Sequence, residues 1–577
     1  MSRRPRVTRR SLLGGLAATC LAGCRRTEEA PAAHGAPPPP EAARVTGDAG
    51  PGDGTFVLVG ARVFTADPRR PRAEAVFVRD GTVVAVGHHA DVVAEAGAAP
   101  RIELDGGLVT PGLADAHGHV LGLGTALDQV DLRGARSIDE VVARLRERAP
   151  PAGWIQGRGW DQNLWPDEAM PTHAPLTAAF GDRPVYLRRI DGHAAWGNRA
   201  LLDAAGITKD TPDPPGGEIL RDPSGAPTGV LVDAAMDLVS PPLPDDATVR
   251  RRIEHAVAHL AGLGITSIHD MGVDARTLAI LRALAGAGRL PIRVEVYADA
   301  DLFERLAAGE LPVDPPARSA RVRLVGVKLY ADGALGSRGA YLLAPYHDRP
   351  GHRGLAQIDR KTLTRMATVA MERGIQLATH AIGDAAVRMV LDAYEAALHR
   401  TRRKDHRFRI EHAQVVAADD VARFALARVV ASMQPVHATS DAPWAPDRLG
   451  PDRLPDAYAI ARFRKAGVHV CFGSDVPVEH ADPRLGLLAA VARTNADGAP
   501  PGGFLPDQAI PLDAAIAGFS REAAYAVHRD DHLGTITPGA VADLTCFEKD
   551  LFEVAPAEIP RVAVARVFVD GRLVHAA

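Results

Sequence analysis

The chain has 577 residues, of which 46% are hydrophobic and 24% are charged, and its formal net charge is −4. This composition is ordinary for a soluble globular protein, and the length allows one large α/β domain with a smaller one beside it. Because charges of both signs are spread along the chain without a basic stripe, we expect no nucleic-acid partner.

The first 23 residues have the features of a targeting segment that is not part of the fold. The twin arginines Arg9 and Arg10 precede a short apolar stretch over residues 12–22. That stretch is too short to span a bilayer comfortably, and twin arginines indicate a bacterial Tat signal. We therefore expect residues 1–23 to direct export through the Tat pathway.

A lipid anchor is predicted directly after this signal. The sequence LAGC at residues 21–24 resembles a lipoprotein cleavage site, which would make Cys24 the lipidated first residue. An ordinary Tat signal that is cleaved elsewhere is the alternative. Residues 24–54 are rich in proline, glycine and alanine and predict a flexible linker. We expect membrane attachment through the N-terminal lipid only, on the periplasmic or another extracytoplasmic face of the cell envelope.

Short β-segments with turns occupy both ends of the folded chain. Between residues 55 and 110, alternating apolar segments flank Asp80–Gly81, which is a strong hairpin signal. The C-terminal segment repeats the pattern with Asp570–Gly571. We predict that residues 55–110 and 533–577 form one small β-sandwich. Two cysteines in apolar strand-like segments, Cys471 and Cys546, are expected to be packing residues without a disulfide.

Residues 111–532 alternate β-segments with helical segments. The β-segments lie at residues 112–120, 264–270, 292–298, 322–333, 375–384, 407–414, 428–435 and 468–475. Eight parallel strands with helical crossovers predict an α/β fold of the TIM-like (β/α)8 barrel type. In such a barrel the chemistry lies at the C-terminal ends of the strands.

The first of these β-segments ends in a group of polar side chains. Asp115, His117 and His119 alternate along the sequence, and alternate residues of a strand share one face. Two neutral imidazole nitrogens that converge in this way suit a metal ion. A solvated, polar strand end explains the same motif, so the motif alone leaves both interpretations open.

Further candidate ligands follow other strands of the predicted barrel. They are Lys328 on the fourth strand, His380 on the fifth, His412 on the sixth and Asp475 on the eighth. A barrel gathers its active-site groups at these ends, whereas scattered solvated histidines would not follow that rule. The metal interpretation is therefore favoured.

The ordered motifs of the chain resemble a known superfamily. PGLADAHGH, VKLYADGALGSRG, ATHAIGD, RIEHAQ and FGSD occur in this order, followed by GAVADLTCFEKD. From about residue 55 to its end, the chain resembles the amidohydrolase superfamily and, within it, the amidohydrolase-3 branch of YtcJ-like and N-substituted formamide deformylase-like proteins. The resemblance implies two divalent metal ions. Zinc is expected, and manganese, iron and cobalt suit the same nitrogen and oxygen ligands.

The resemblance also implies a role for each candidate ligand. The histidine ligands would be His117 and His119 for one ion, and His380 and His412 for the other. Lys328 would bridge the ions as its carbamate, because carbamylation converts a cation into a carboxylate-like group. Asp475 would bind the first ion and exchange protons with the bridging water. A salt bridge between Lys328 and Asp332 is the alternative for the lysine.

The long segment between the first two barrel strands resembles an insertion of the same branch, over about residues 130–245, that covers the barrel mouth. It contains GWIQGRGWDQNLWP at 153–166 and YLRRIDGHAAWGN at 186–198. The predicted substrate-binding residues are Trp160, Arg189, Asp191, His193 and, after the fourth strand, Arg338. His193 is also predicted to be catalytic, through the carbonyl oxygen of the substrate. A structural turn is the alternative for His193, and helix capping is the alternative for Arg338.

Together these features predict a metal-dependent hydrolase of non-peptide C–N bonds in small molecules, most plausibly amides or N-substituted formamides. Metal-activated hydroxide would be the nucleophile. A mononuclear deaminase of the same superfamily is one alternative, although such enzymes typically lack the strand-four lysine. A surface-tethered binding protein is another, but it would be expected to have lost ligands, and none of the six is missing. No feature of the sequence predicts an oligomeric state.

Overall fold

The computed structural model describes residues 54–577 except 190–193, 215–216, 242 and 337. The predicted signal segment, Cys24 and all but the last residue of the predicted linker lie outside the described residues. The described residues divide into two units, the first built from residues 54–122 and 253–577 and the second from residues 123–252.

The first unit begins with short β-strands. The elements are β1 (Phe56–Val59), β2 (Arg62–Phe64), β3 (Arg72–Ala73), β4 (Ala75–Arg79), β5 (Thr82–Gly87), α1 (His89–Ala96), β6 (Arg101–Glu103) and β7 (Leu108–Pro111). Between β4 and β5, Asp80 and Gly81 have φ angles of 50° and 70°. A two-residue hairpin turn needs this left-handed conformation at both positions, which aspartate and glycine tolerate.

The chain continues into the first barrel strand, β8 (Leu113–Gly118), and helix α2 (Val120–Asp128). The elements that follow are β9 (Val130–Asp131), α3 (Ile138–Arg148), β10 (Ile155–Trp160), α4 (His173–Phe180), β11 (Val185–Arg189), β12 (Ala194–Gly197), α5 (Arg199–Ala204), β13 (Gly217–Arg221) and β14 (Pro227–Asp233). The strands among these elements form one sheet in the order β13-β14-β12-β11-β10-β9. Strands β9, β10 and β11 pair in parallel, and the pairs β11–β12, β12–β14 and β13–β14 are antiparallel.

The barrel then resumes. Its strands are β15 (Ile265–Val273), β16 (Arg293–Ala298), β17 (Val322–Tyr330), β18 (Gln376–Ala381), β19 (Arg409–His412), β20 (Val430–Met433) and β21 (Val470–Phe472). The helices of this region are α6 (Asp246–Gly262), α7 (Ala275–Gly286), α8 (Phe303–Ala308), α9 (Arg360–Arg373), α10 (Asp384–Thr401), α11 (Ala418–Ala427), α12 (Pro435–Asp441), α13 (Ala445–Leu449), α14 (Ile460–Lys465) and α15 (Pro483–Ala492).

The eight strands form one parallel sheet in the order β21-β20-β19-β18-β17-β16-β15-β8. An isolated parallel bridge between Gly118 and Val476 joins the ends of the two outer strands. Gly473 permits this approach, because a Cβ atom there would lie 2.4 Å from the backbone nitrogen of His117. The sheet therefore closes on itself where β8 and β21 end.

The C-terminal region returns to the sheets that began the chain. Its elements are α16 (Leu512–Gly518), α17 (Arg521–Ala526), β22 (Leu544–Phe547), β23 (Val564–Val569) and β24 (Arg572–Ala576). Short 3-10 helices lie at Gln162–Leu164, Ala234–Leu238, Ala300–Leu302, Leu454–Asp456, Pro506–Gln508 and Pro556–Arg561. No helix among the described residues is both long and apolar enough to cross a bilayer.

Two sheets outside the barrel combine strands from both chain ends. One has the order β5-β4-β1-β6, and the other has the order β24-β23-β22-β7-β2-β3. Side chains of both sheets share one buried core, which includes Phe56, Val78, Leu544 and Phe568. The predicted fold class, a TIM-like barrel with a small β-region built from both chain ends, is confirmed.

Candidate metal centre

Six side chains meet where the barrel strands end. His117 of β8 and His119, just after it, lie near the ends of β17, β18 and β19 and near the loop that follows β21. The six residues are His117, His119, Lys328, His380, His412 and Asp475. Three of them, His117, His412 and Asp475, place one nitrogen or oxygen atom each within 4.8 Å of the other two. The structure thus brings together all six residues that the sequence proposed as ligands.

His117 is held as a neutral imidazole whose Nε2 faces Lys328. Its Nδ1 donates a hydrogen bond to Oε2 of Glu411 at 2.6 Å. Its Nε2 lies 3.1 Å from Nζ of Lys328 and 3.6 Å from Oδ1 of Asp475. Burial, together with the neighbouring charge of Lys328, lowers the pKa of His117 to about 4. The Nε2 lone pair is therefore available to a cation at neutral pH.

Asp475 lies at the centre of the group. Its Oδ1 accepts a hydrogen bond from Nε2 of His119 at 3.2 Å, and its backbone amide donates to the carbonyl of His117 at 2.7 Å. Burial opposes ionisation, but the hydrogen bond from His119 holds the pKa of Asp475 well below its usual value. The residue has a φ of 63°, in a region that non-glycine residues seldom adopt.

The rings of His380 and His412 lie together, with centroids 4.6 Å apart. Nδ1 of His412 donates to Oε1 of Gln434 at 2.8 Å, which leaves the lone pair on Nε2. Nε2 of His380 is buried, has no hydrogen-bond partner among the described residues, and lies 3.5 Å from Oδ1 of Asp332. Burial lowers the pKa of His380 to about 3 and that of His412 well below its usual value, so both rings are neutral and could each bind a cation.

The Lys328 amine faces an imidazole and not a carboxylate. Its side chain is buried, and burial lowers its pKa to about 8. Asp332, the salt-bridge partner that the sequence left open, accepts backbone amides of Ile382, Gly383 and Tyr341 instead. The alternative of a Lys328–Asp332 salt bridge is therefore wrong. The donor set, with neutral imidazoles, one carboxylate and an orphaned buried nitrogen, fits a divalent transition metal such as zinc.

Glu411 and Arg409 complete this centre, although sequence reasoning missed them. Arg409 donates from Nε to Oε1 of Glu411 at 2.8 Å and from a terminal nitrogen to Oε2 at 2.9 Å. Both side chains are fully buried, and the hydrogen bonds from Arg409 hold the Glu411 carboxylate against Nδ1 of His117. The available signal was two opposite charges at alternate positions of one buried strand, which must pair with each other.

We predict that Glu411→Gln weakens metal binding. A glutamine must turn its NH2 group toward either Arg409 or His117, so one hydrogen bond is lost and His117 loses its fixed orientation. Replacing such an outer partner typically lowers metal affinity about 10–100-fold. Zinc affinity, measured by competition with a fluorescent chelator, checks this result. Glu522→Gln is the matched control, because Glu522 makes an equivalent 2.7 Å contact to Nδ1 of His469 outside the centre; equal affinity losses in both variants would contradict the role.

The predicted substrate contacts are placed differently. Trp160 is fully buried, donates Nε1–H to the carbonyl of Leu187, and packs against Trp165 and Trp196 at 6.0 Å between ring centroids. The prediction that Trp160 contacts substrate is wrong, because three indoles that pack together form the core of the second unit and expose no surface there.

The remaining contacts stay predictions. Asp191 and His193 lie outside the described residues. Arg189 donates to Gln162 and Asp161 at 2.8 and 2.9 Å, within the second unit. Arg338 donates to both carboxylate oxygens of Asp348, at 3.0 and 2.7 Å. The described cysteines, Cys471 and Cys546, are both free and buried.

A parallel barrel that gathers histidines, a lysine and a carboxylate at its C-terminal end defines a metal-dependent hydrolase. The family model described as "Amidohydrolase family" matches residues 101–575. The chain belongs to this family. It is accordingly an enzyme, a hydrolase that acts on carbon–nitrogen bonds.

Relatives cover nearly the whole chain. YtcJ of Bacillus subtilis (strain 168), which is named as an amidohydrolase, is 33% identical over 89% of this chain and 98% of its own. An N-substituted formamide deformylase of Arthrobacter pascens is 29% identical over 90% of this chain and 98% of its own. A crystal structure of an uncharacterized metal-dependent hydrolase from Pyrococcus horikoshii OT3 is similar with a TM-score of 0.72 and 29% identity, over 87% of this chain and 99% of that one.

Proposed function

We propose that this enzyme hydrolyses the C–N bond of a small amide, with N-substituted formamides as the favoured class. The observation that carries the proposal is the buried group of His117, His412 and Asp475 at the barrel's C-terminal end, whose ligand atoms lie within 4.8 Å of one another. This arrangement places a carboxylate base, Asp475, beside imidazole nitrogens that could bind a metal ion. The relative from Arthrobacter pascens, named an N-substituted formamide deformylase, favours the formamide class.

We further propose two divalent ions, with zinc as the first candidate. His117 and His119 would hold one ion, His380 and His412 would hold the other, and a carbamylated Lys328 would bridge them. A bound divalent cation lowers the pKa of water and polarises a carbonyl group. The position of Lys328 supports the bridge, because its amine lies 3.1 Å from Nε2 of His117. Burial lowers the pKa of the amine to about 8, so a fraction of the molecules carry an unprotonated Lys328 near neutral pH.

Asp475 performs the proton transfers in this proposal. As the oxygen of water bonds to the substrate carbonyl carbon, the carboxylate accepts the water proton. When the C–N bond breaks, the same carboxyl group delivers that proton to the nitrogen, which leaves as an amine. The pKa held well below its usual value keeps Asp475 ionised across the neutral range, so the carboxylate is in the form that accepts a proton.

Tyr330 supports an apolar substituent on the substrate. It ends β17, 37% of its surface is exposed, and its ring centroid lies 5.6 Å from that of His380. An exposed aromatic face beside the ligands offers contact area for an alkyl or aryl group on the scissile nitrogen.

Amine release from N-phenethylformamide tests the proposed function, with N-phenethylacetamide, a free dipeptide and cytosine as comparisons. We expect zinc-loaded protein to release phenethylamine from the formamide and to spare the dipeptide. Ammonia from cytosine with no amine from either amide would favour the mononuclear deaminase instead. A loaded protein that releases neither amine nor ammonia from any of the four would contradict the proposed small-amide substrate class.

We also propose that the enzyme is exported through Tat and anchored by lipid at Cys24. In that case Cys24→Ala should release active enzyme from the membrane fraction or leave an unprocessed precursor. The several acyl chains of a bacterial lipoprotein would be lost, and a single chain or none binds a membrane only marginally. Fractionation with immunoblotting measures the outcome. Membrane retention of a normally processed Cys24→Ala protein would contradict the lipid anchor.

A further inference from the structure

His437 is a buried histidine at the metal centre that the six-ligand set leaves out. It lies in α12, the helix that begins directly after β20 and Gln434. Its ring is nearly parallel to that of His412, with centroids 5.9 Å apart and an interplanar angle of 18°. Its Nε2 lies 3.9 Å from Oδ2 of Asp475. The side chain is 8% exposed, and Nε2 has no hydrogen-bond partner among the described residues.

The contact on the other side of the ring fixes where the proton lies. Nε2 of Gln414 donates a hydrogen bond to Nδ1 of His437 at 3.0 Å. With the Gln414 amide in this orientation its NH2 group donates, Nδ1 accepts, and the neutral ring carries its proton on Nε2. His437 therefore differs from His412, whose Nδ1 donates to Gln434 and whose free lone pair is on Nε2. In this tautomer His437 is a hydrogen-bond donor and not a metal ligand.

We propose that His437 is a catalytic residue that donates from Nε2 to the carbonyl oxygen of the substrate. A buried donor without a protein acceptor costs free energy, and it is retained here 3.9 Å from the carboxylate that exchanges protons with water and amine. This separation is too long for a direct hydrogen bond to Asp475, so the N–H remains free for a substrate oxygen beside it.

The donor acts on the charge that forms during hydrolysis. When water oxygen bonds to the carbonyl carbon, the carbonyl π electrons move onto the carbonyl oxygen and one water proton passes to Asp475. Nε2–H of His437 stabilises the negative oxygen. As the C–N bond breaks, those electrons re-form the carbonyl bond and the proton on Asp475 passes to the leaving nitrogen. The inference rests on the proposed amide hydrolysis and adds the group that recognises the carbonyl oxygen.

The test compares His437→Phe with His437→Gln on N-phenethylformamide. Phenylalanine keeps the flat ring without a donor, whereas the glutamine amide can place an N–H near the position of Nε2. We expect His437→Phe to lower kcat by about 10²–10³-fold, the usual loss for one such donor. We expect KM to change by less than about threefold and His437→Gln to recover part of kcat. Bound zinc, measured by mass spectrometry, should equal that of the unmodified enzyme in both variants.

His469→Phe is the matched control, because His469 is half-exposed, stacks on Tyr525 and lies just before β21, outside the centre. It should leave kcat unchanged. Near-normal kcat in His437→Phe would overturn the inference, and so would loss of zinc, which would make His437 a ligand. If the unmodified, zinc-loaded enzyme releases no phenethylamine, the proposed function fails together with this inference. That failure is visible before any variant is measured, so the two failures are distinguishable.

Discussion

Asp475→Asn should give a folded, metal-binding protein whose turnover on N-phenethylformamide is about 10²–10⁴-fold lower, the range for removal of a general acid–base group. The amide can neither accept the proton of water nor return it to the amine. Asparagine also tolerates the left-handed backbone at this position, where φ is 63°, so the loop after β21 should keep its shape. Steady-state kinetics, with circular dichroism and zinc content on the same samples, measure the result.

Asp475→Ala separates the carboxylate from the backbone requirement. Alanine lacks the side-chain hydrogen bonds that make asparagine and aspartate tolerant of positive φ, so this variant should lose stability as well as activity. A folded Asp475→Asn enzyme with full zinc content and near-normal kcat would show that another group moves the proton. Equal thermal stability of the two variants would show that the positive φ is not a constraint.

Lys328→Ala should lower the activity about 10²–10³-fold. A loss of this size corresponds to the several kcal/mol of charge stabilisation that a metal centre supplies. The variant loses the proposed bridging carboxylate, so it should also bind less zinc. Added propionate should restore part of both, because a short carboxylate can enter the space left by the side chain. Lys361→Ala is the matched control, since Lys361 is an exposed lysine of the same unit. Activity and zinc content with and without propionate are the measurements.

The carbamate predicts a dependence on carbon dioxide that a bare lysine does not. Apoenzyme reloaded with zinc in carbon-dioxide-free buffer should regain less activity than apoenzyme reloaded with bicarbonate. Full activity of Lys328→Ala, or activity that ignores both propionate and bicarbonate, would contradict a carbamylated bridge.

The barrel and its ligands were predictable because two independent patterns coincide. Each β-segment between residues 112 and 475 is separated from the next by enough chain for a crossover, and the polar residues fall where strands end. The Asp–Gly turns at residues 80–81 and 570–571 were predictable for a local reason, since both have positive φ in the structure. Local rules therefore predicted the framework well.

Other features depend on contacts that no local rule contains. In a regular strand His412 would point away from the face shared by Arg409 and Glu411, but its φ of 70° departs from strand geometry and changes the direction of the side chain. Trp160 resembles a binding residue in sequence, yet partners distant in the chain bury it. His437 follows a strand by several residues, and its relevance depends on the spatial proximity of Asp475.

The most direct test of the account is a zinc titration of the apoenzyme in bicarbonate, with phenethylamine release from N-phenethylformamide followed at each step. We expect metal-free protein to be inactive and activity to rise with bound zinc until two ions per chain are held. His117→Ala with His412→Ala should abolish both binding and activity. Fully loaded enzyme that cleaves no C–N bond, or hydrolysis that persists without any bound metal, would contradict the account.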